Sequence, residues 1–260
     1  MRVSFLGSGT STGVPVITCG CEVCTSEDPR DRRLRPSVLL EWDGASVLID
    51  TSTDLRQQVL RQRIDRIDAV LYTHAHADHI LGLDELRLFN WRQGGAVPVY
   101  GSRATLERVR RTFWYVFEQT PISGGKPAVD CLEVSGPFDL RGRRVVPVPL
   151  IHGDHEILGY RIGRFAYLTD ASRIPEPSYA LIEGLDVLVL NALRPRPHPT
   201  HFHLEAALRE AARIGAARTI FTHMSHEMPH ARISAALPPG VELAHDGLGI
   251  EVDGAAETEP

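Results

Sequence analysis

One short segment restricts this chain more than any other, because it places four potential metal ligands between an apolar strand and an apolar helix. Residues 71–73 end an apolar run, residues 74–79 read His-Ala-His-Ala-Asp-His, and a further apolar stretch follows. In an extended segment His74 and His76 point to the same side, and the helix dipole favours a carboxylate at Asp78 in the first helical turn. The spacing therefore predicts a strand, a ligand-rich turn and a helix around one metal site.

The same association of strands with ligand residues recurs along the chain. Five strand-like apolar runs end directly in a ligand-type or amide residue, and these residues are Asp50, His74, Asp170, Asn191 and His223. Open sheets place their chemistry at strand ends. The five positions therefore predict a site along a sheet edge.

Hydrophobic periodicity predicts a mixture of strands and helices. Strands are predicted at residues 38–40, 47–49, 69–72, 145–148, 166–168, 187–190 and 219–221. Helical patterns occupy residues 55–62, 80–89, 104–116, 204–214 and 231–237. This mixture indicates an α/β or α+β fold that is rich in sheet. Because no Pro- or Gly-rich linker divides the chain, residues 1–260 are predicted to form one domain, with a frayed polar tail at residues 253–260.

Three of the four cysteines lie in a second ligand-rich segment. Cys19, Cys21 and Cys24 form a Cys-x-Cys-x-x-Cys run, which suits a metal better than disulfides in a reducing compartment. Three thiolates need one further ligand to complete a tetrahedral zinc site. His226 is a candidate, because it follows His223 by three residues and a single turn would then contribute one histidine to each centre.

Composition excludes several classes of protein. The 28 Lys and Arg residues against 33 Asp and Glu residues give a net charge of −5, the wrong sign for binding polyanions by bulk charge, so nucleic acid is not expected as a partner. No apolar stretch reaches the roughly 18 residues of a membrane helix, and the first residues lack the pattern of a signal peptide. The expectation is a cytoplasmic protein outside the membrane, with a homodimer as the default oligomeric state.

The motif at residues 74–79 resembles the His-x-His-x-Asp-His signature of the metallo-β-lactamase-fold hydrolases. The resemblance implies a four-layer αββα sandwich with two divalent metal ions in a cleft at one edge. It also implies the ligands: His74, His76 and His152 for one ion, Asp78, His79 and His223 for the other, and Asp170 as a bridge between them. A carboxylate at Asp170 favours dinuclear hydrolases over true β-lactamases, and His76 favours hydrolysis over the oxygen-reducing relatives.

A narrower resemblance rests on two motifs together. The Cys-x-Cys-x-x-Cys run and the Thr-His-x-Ser-His sequence at residues 222–226 are similar to those of the phosphoribosyl 1,2-cyclic phosphate phosphodiesterases of the carbon–phosphorus lyase pathway. That family implies a structural zinc ion held by Cys19, Cys21, Cys24 and His226. His201, which lies in a Pro-rich loop before a helix, matches the family's catalytic histidine and is expected to assist the leaving group or hold the phosphate.

The activity implied is that of a dinuclear phosphodiesterase acting on a small cyclic phosphate similar to phosphoribosyl cyclic phosphate. Two metal ions can share a water and lower its pKa towards neutrality, so the expected nucleophile is a metal-bridging hydroxide. The predicted catalytic residues are Asp78, as a metal ligand, and His201, as the proton donor to the departing alkoxide. Manganese, zinc, iron or nickel ions suit nitrogen and oxygen ligands of this kind.

Two other functions use the same fold and ligands. A tRNA 3′-processing nuclease of the superfamily is one, although the sequence has no long basic arm and the net charge is acidic. A non-hydrolytic protein of cofactor biosynthesis or binding is the other, although the complete ligand set and His201 argue against it. Fold and metal core are shared across many chemistries, so the sequence does not name the physiological substrate.

Five histidines have no firm role in this interpretation, namely His155, His198, His203, His230 and His245. His198 and His230 are predicted surface residues, and the loop around His155 is expected to be longer than in the narrow family. The Gly-rich segment at residues 7–13 resembles a phosphate cradle but lacks the lysine of a P-loop, which favours a tight turn beside the metals.

Overall fold

Strands dominate the computed structural model, which describes residues 1–118 and 125–253. The strands are β1 (Arg2–Gly7), β2 (Ser37–Trp42), β3 (Ala45–Ile49), β4 (Ala69–Leu71), β5 (Val97–Gly101), β6 (Val129–Glu133), β7 (Phe138–Leu140), β8 (Arg143–His152), β9 (His155–Ile162), β10 (Phe165–Leu168), β11 (Val187–Asn191), β12 (Arg218–Thr222), β13 (Val241–Leu243) and β14 (Gly249–Glu251). The helices are α1 (Leu55–Gln62), α2 (Ala77–Ile80), α3 (Leu86–Gln93), α4 (Arg103–Thr112), α5 (Trp114–Phe117), α6 (Glu176–Tyr179), α7 (Leu204–Ile214) and α8 (His230–Ser234). None of these helices is long and apolar enough to cross a membrane.

These strands form two mixed sheets of seven strands each. The first has the order β14-β1-β2-β3-β4-β5-β6, and the second has the order β13-β12-β11-β10-β9-β8-β7. The run from β3 to β6 is parallel, as is the run from β10 to β13. β14, close to the end of the described chain, pairs with β1, so the first sheet joins distant parts of the sequence.

Alternation of apolar side chains along the strands explains the layers. In β2, Val38 and Leu40 belong to a buried cluster that includes residues from both sheets. Leu39 faces the other way and packs in a second cluster with Leu55 of α1 and Leu106 of α4. Full burial of a side chain of this size contributes about 1.5–3 kcal/mol. Helix α7 packs against β11 of the second sheet. The layers are therefore helix, sheet, sheet and helix, and the predicted αββα sandwich is confirmed.

The predicted helices are reproduced to different degrees. Residues 55–62 and 204–214 have the bounds of α1 and α7. Residues 80–89 do not form one helix, because the Gly82 amide donates to the Thr51 carbonyl at 3.0 Å and not to a carbonyl one turn back in the same segment. A 3₁₀ turn, Leu81–Glu85, separates α2 from α3 at this place. The other predicted helices, residues 104–116 and 231–237, correspond to α4 with α5 and to the shorter α8.

The sheets are joined by hydrogen bonds at the edge where the parallel strands end. The Tyr160 hydroxyl of β9 donates to the Tyr72 carbonyl after β4, at 2.8 Å, and the Leu158 amide donates to the Thr73 carbonyl at 3.0 Å. The ligand-rich segment that starts at His74 therefore begins at the junction of the sheets.

The predicted frayed tail at residues 253–260 lies outside the described residues apart from Asp253.

Candidate metal centre

Three strand-end residues have a left-handed backbone conformation. Asp50, Asp170 and His223 have φ values of 61°, 61° and 57°, and they follow β3, β10 and β12. Such values are uncommon outside glycine and cost roughly 1–3 kcal/mol each. Strain of this kind clusters at functional sites, because the surrounding structure must hold the residue in place.

The structure brings all seven predicted active-site ligands together. Potential ligand atoms lie within 4.8 Å of one another in three groups, which are His74 with His76 and His152, Asp78 with His79 and His223, and His74 with His79 and Asp170. Asp170 lies next to both predicted sets, since its Oδ1 is 3.0 Å from His223 Nε2 and its Oδ2 is 3.3 Å from His79 Nε2. The grouping matches the predicted division of ligands, and ligation itself stays a prediction.

The spacing of these atoms fits metal ions. Ligands placed tetrahedrally at about 2.0–2.1 Å from an ion lie about 3.3–3.4 Å from one another. His79 Nε2 is 3.3 Å from Asp78 Oδ2, and His223 Nε2 is 3.4 Å from the same oxygen. His79 Nε2 is fully buried and makes no hydrogen bond with the described residues. A buried nitrogen between carboxylates without a hydrogen bond is what a ligand to a cation requires.

Electrostatics also favour a cation here. Burial by itself would raise the pKa of Asp170, but His223 and His79 hold it well below its usual range, so the carboxylate is ionised. Burial would lower the pKa of His79, yet the carboxylates of Asp78, Asp170 and Asp50 raise it well above its usual value. The carboxylates that stabilise a proton on His79 would equally stabilise a metal ion in its place.

Comparison with known proteins now places the chain in a family. Residues 45–224 match the model of the Beta-lactamase superfamily domain. A solved structure described as a new diphosphatase from the PhnP family is 48% identical, covers 97% of this chain and 98% of its own, and superposes with a TM-score of 0.91. This chain belongs to the PhnP family of the β-lactamase superfamily. The family and the donor set together support a metal-dependent hydrolase.

Two further relatives resemble this PhnP-family chain. The octanoyltransferase of Porphyromonas gingivalis is 41% identical over 258 residues, which are 97% of this chain but only 52% of that protein. The chain therefore spans about half the length of that relative. Zinc-bound PqqB of Methylobacterium extorquens is 23% identical with a TM-score of 0.78, over 97% of this chain and 100% of its own. That likeness shows the fold alone.

Buried partners orient two of the metal-site histidines in this PhnP-family protein. Asp50 Oδ2 lies 2.7 Å from His79 Nδ1 and accepts a 2.8 Å hydrogen bond from the Thr73 hydroxyl. The Thr200 carbonyl lies 2.8 Å from His152 Nδ1. A partner at Nδ1 leaves Nε2 free to bind a metal and fixes the plane of the ring. Sequence reasoning flagged Asp50 as a strand end but gave it no role, because its partner is 29 residues away in the chain.

His201 lies beside the ligands, as predicted, and has a partner at each ring nitrogen. Its Nε2 is 3.0 Å from Asp170 Oδ1, and its Nδ1 is 2.9 Å from the Thr200 hydroxyl. His198, predicted to be a plain surface residue, is half-buried and lies 3.3 Å from His201 between their Nδ1 atoms. That prediction was wrong, because the His198 ring packs edge-on against the His201 ring, with 5.1 Å between centroids, and its Nδ1 lies 3.3 Å from the Thr200 hydroxyl.

The ligands open into a cleft of about 450 Å³. It is lined by Ser11, His76, Asp78, His152, Gly153, Asp154, His155, Asp170, Thr200, His201 and His223, so the described lining includes neither lysine nor arginine. A volume in this range suits a small molecule. His155, which also lines the cleft, pairs with His152, so Gly153, with φ 60°, and Asp154 form a two-residue hairpin.

The remaining histidines lie outside the cleft. His230 was predicted at the surface, but it is buried, because the Asp31 carboxylate accepts a hydrogen bond from its backbone amide at 2.9 Å and holds the start of α8 inside. His245 contacts the His230 ring edge-on at 6.1 Å. His203 is the residue before α7 and does not line the cleft.

The four predicted zinc ligands form a separate cluster. The Sγ atoms of Cys19, Cys21 and Cys24 lie 3.3, 3.4 and 3.6 Å from His226 Nδ1. Tetrahedral zinc with about 2.3 Å bonds to sulfur and about 2.0–2.1 Å bonds to nitrogen spaces S and N by about 3.5–3.6 Å. A hydrogen bond from the Cys24 backbone helps to lower the pKa of Cys21 to about 6, which favours the thiolate that zinc binds.

A buried arginine holds the loop shared by both centres. Arg33 Nη1 donates to the Ser225 carbonyl at 2.8 Å, and Nη2 donates to the Met228 carbonyl and, at 2.9 Å, to Asp31. Ser225 lies between His223 and His226, so Arg33 positions the loop that links the two ligand sets. Sequence reasoning missed it, since nothing local distinguishes Arg33 from exposed arginines.

Proposed function

We propose that this chain is a metal-dependent phosphodiesterase that hydrolyses a small cyclic phosphate ester of the phosphoribosyl cyclic phosphate type. The observation that supports this most directly is the position of His201. Its Nε2 is 3.0 Å from Asp170 Oδ1, inside the cleft but outside both predicted ligand sets. Its ring also lies within 4.8 Å of ligand atoms of His152 and Asp170. A histidine adjacent to the ligands but outside both predicted sets is in the place of a general acid.

The residues of the cleft would have separate roles in this reaction. Divalent ions of manganese, zinc, iron or nickel held by the two ligand sets would activate water at neutral pH and neutralise charge on the phosphoryl oxygens. The Thr200 hydroxyl at Nδ1 fixes the plane of the His201 ring. The proton that His201 would donate to the departing alkoxide oxygen is the one on Nε2, which faces Asp170 in this structure and would be released when Asp170 binds metal. Asp78 acts as a ligand and supplies negative charge, and no side chain is needed as nucleophile.

A substituted diphosphate is a second candidate substrate, because the relative at 48% identity is described as a diphosphatase. The phosphorus of a cyclic phosphate and each phosphorus of a disubstituted diphosphate both have two ester or anhydride links. The same attack and the same general acid therefore serve either bond, and the leaving group differs. The preference between them is a matter for measurement with matched substrates.

Charge argues against a nuclease. The net charge is −5, and the described cleft lining has no lysine or arginine to contact a phosphate backbone. Octanoyl transfer is not proposed either, since the protein of that name is about twice as long as the part matched here.

One structural zinc ion is proposed to bind at the separate cluster formed by Cys19, Cys21, Cys24 and His226.

The test is hydrolysis by protein loaded with Mn²⁺ or Zn²⁺. Bis-p-nitrophenyl phosphate and adenosine 2′,3′-cyclic phosphate represent diesters, ADP-ribose represents substituted diphosphates, and p-nitrophenyl phosphate represents monoesters. We expect turnover of the diesters and little of the monoester. Absence of diester turnover by metal-loaded protein would refute the proposal. A preference for ADP-ribose would identify a substituted diphosphate, and not a cyclic phosphate, as the substrate class.

His201→Ala separates catalysis from metal binding. It is expected to lower kcat by roughly 10²–10⁴-fold, the contribution of a positioned general acid, with metal content unchanged by elemental analysis. His203→Ala is the matched control, because His203 is nearby but does not line the cleft. Equal rates for the His201 variant and the control would remove His201 from the mechanism.

A further inference from the structure

The Pro-rich loop between β11 and α7 holds His198 in a restricted backbone conformation. Residues 195, 197 and 199 are prolines, which fix φ at those positions and restrict the residue before each of them to extended backbone. At the base of the loop, the Leu193 amide donates to the Phe202 carbonyl at 3.0 Å, and the Phe202 amide donates to the Ala171 carbonyl at 2.7 Å. The fold therefore fixes where the His198 ring lies.

His198 lies beside His201 but is not among the described residues that line the cleft. Its Nδ1 is 3.3 Å from His201 Nδ1, and the rings meet edge-on with 5.1 Å between centroids. The Thr200 hydroxyl contacts both rings, at 3.3 Å from His198 Nδ1 and 2.9 Å from His201 Nδ1. An effect of His198 on the reaction must therefore pass through Thr200 or His201.

The backbone amide of Thr200 decides which nitrogen of His198 has a proton. This amide can only donate, and it donates to His198 Nδ1 at 3.3 Å. Nδ1 therefore has a free lone pair, and the single proton of the neutral ring is on Nε2. Burial, with His201 and Arg194 nearby, lowers the pKa of His198, which favours the neutral ring.

An acceptor at His198 Nδ1 favours one arrangement of protons around His201. The Thr200 hydroxyl can donate its proton to His198 while its oxygen accepts from His201 Nδ1. If His201 Nδ1 had no proton, two lone pairs would face each other across 3.3 Å, and the hydroxyl could satisfy only one of them. A proton on His201 Nδ1 is therefore favoured. Nε2, which lies 3.0 Å from Asp170 Oδ1 in the cleft, is then the nitrogen left to deliver a proton.

We propose that His198 is a positioning residue for the general acid, because through the Thr200 hydroxyl it keeps a proton on His201 Nδ1. The proton transferred to the departing alkoxide then comes from Nε2. The alkoxide becomes an alcohol, and His201 becomes a neutral ring that has its proton on Nδ1, the form that His198 and Thr200 stabilise. This inference rests on the proposed phosphodiesterase function and adds a residue from outside the described cleft lining.

Asparagine and glutamine at position 198 separate the two nitrogens of the ring. Asparagine places its amide oxygen near the position of Nδ1, whereas the amide of glutamine reaches the position of Nε2. His198→Asn is therefore expected to keep kcat on adenosine 2′,3′-cyclic phosphate close to the wild-type value. His198→Gln is expected to lower it about tenfold, the effect of losing one hydrogen bond in the transition state. KM and metal content should stay unchanged.

The leaving group distinguishes a positioning role from a general defect of the loop. The alkoxide of the cyclic nucleotide needs a proton to depart, whereas p-nitrophenolate departs as a stable anion. His198→Gln should therefore lose much less activity on bis-p-nitrophenyl phosphate than on the cyclic nucleotide. His203→Gln, before α7 and outside the described cleft lining, is the matched control and should keep both rates.

Three kinetic outcomes would overturn the inference. They are a wild-type rate of His198→Gln on the cyclic nucleotide, an equal loss on both substrates, and an equal loss in His198→Asn and His198→Gln. The first would show that an acceptor at Nδ1 is not needed. The other two would show that the variants disturb the loop and not the proton transfer.

Nitrogen NMR of the histidine rings tests the proton positions without any turnover. In protein labelled with ¹⁵N-histidine and loaded with Zn²⁺, comparison with His201→Ala identifies the ring signals of His201. Its Nδ1 is expected to be protonated in the wild type and in His198→Asn, and to lose its proton in a measurable fraction of His198→Gln. An unprotonated Nδ1 in the wild type would overturn the inference. A protonated Nδ1 without diester turnover would refute the phosphodiesterase and support the positioning of His201.

Discussion

Replacement of Asp50 by asparagine is expected to weaken the metal centre although Asp50 is not a ligand. The side chain is fully buried. Its Oδ1 accepts from the Thr73 amide at 2.8 Å, and its Oδ2 lies 2.8 Å from the Thr73 hydroxyl and 2.7 Å from His79 Nδ1. Asparagine has the same shape, but only one of its two terminal atoms can accept.

The backbone amide of Thr73 decides how the new side chain is placed. It can only donate, so the asparagine oxygen must face it and the asparagine amide must then face His79 Nδ1. Two donors cannot share that contact, so the His79 proton moves to Nε2, the atom that lies 3.3 Å from Asp78 and Asp170. A protonated Nε2 cannot bind a metal. Loss of such a partner typically costs 10–100-fold in metal affinity, about 1.4–2.7 kcal/mol.

Competition with a chromophoric chelator measures that affinity, and circular dichroism checks the fold. Asp68→Asn is the matched control, because Asp68 is also a buried carboxylate that accepts from a backbone amide, that of Ser46, but has arginine partners far from the ligands. Both variants are expected to lose some stability, and only Asp50→Asn is expected to lose metal affinity. Unchanged metal affinity in Asp50→Asn, or an equal loss in both, would refute the reasoning.

Three further outcomes are expected. Arg33→Met removes one partner of a buried ion pair and should lower the free energy of unfolding by about 3–5 kcal/mol in urea titrations; a loss below about 1 kcal/mol, typical of an exposed pair, would contradict the role given to Arg33. Cys24→Ser should lose one zinc ion per chain by elemental analysis and lower Tm, and retention of that ion would show the cluster is not a zinc site. Burial, aided by Arg30 and Arg33, lowers the pKa of His230 from 6.5 to about 4. Neutral His230 then contributes stability that is present above pH 6.5 and lost as the pH falls towards 4. His230→Gln should therefore flatten the dependence of the free energy of unfolding on pH in that range. An unchanged dependence would contradict the role given to His230.

Local patterns in the sequence predicted those parts of the molecule that depend on neighbours along the chain. The helices at residues 55–62 and 204–214 follow from their periodicity, and the predicted ligands at residues 74–79 are close because they lie within six consecutive residues. The helix expected over residues 80–89 was wrong in detail, since the Gly82 amide donates to the carbonyl of Thr51, which belongs to a distant segment of the chain. His230 was misplaced for a similar reason, because Asp31, which holds it inside, is 199 residues away.

The sequence by itself indicated the layered α/β class, the family and the candidate metal ligands, because strand and helix periods and short spacings between ligand-type residues are local properties of the chain. Only the tertiary structure decided which of those ligands have buried partners. Asp50 behind His79 and Arg33 behind the loop at Ser225 both depend on contacts between distant segments. Such contacts are set by strand register and sheet packing, and a single sequence does not encode them in any local pattern.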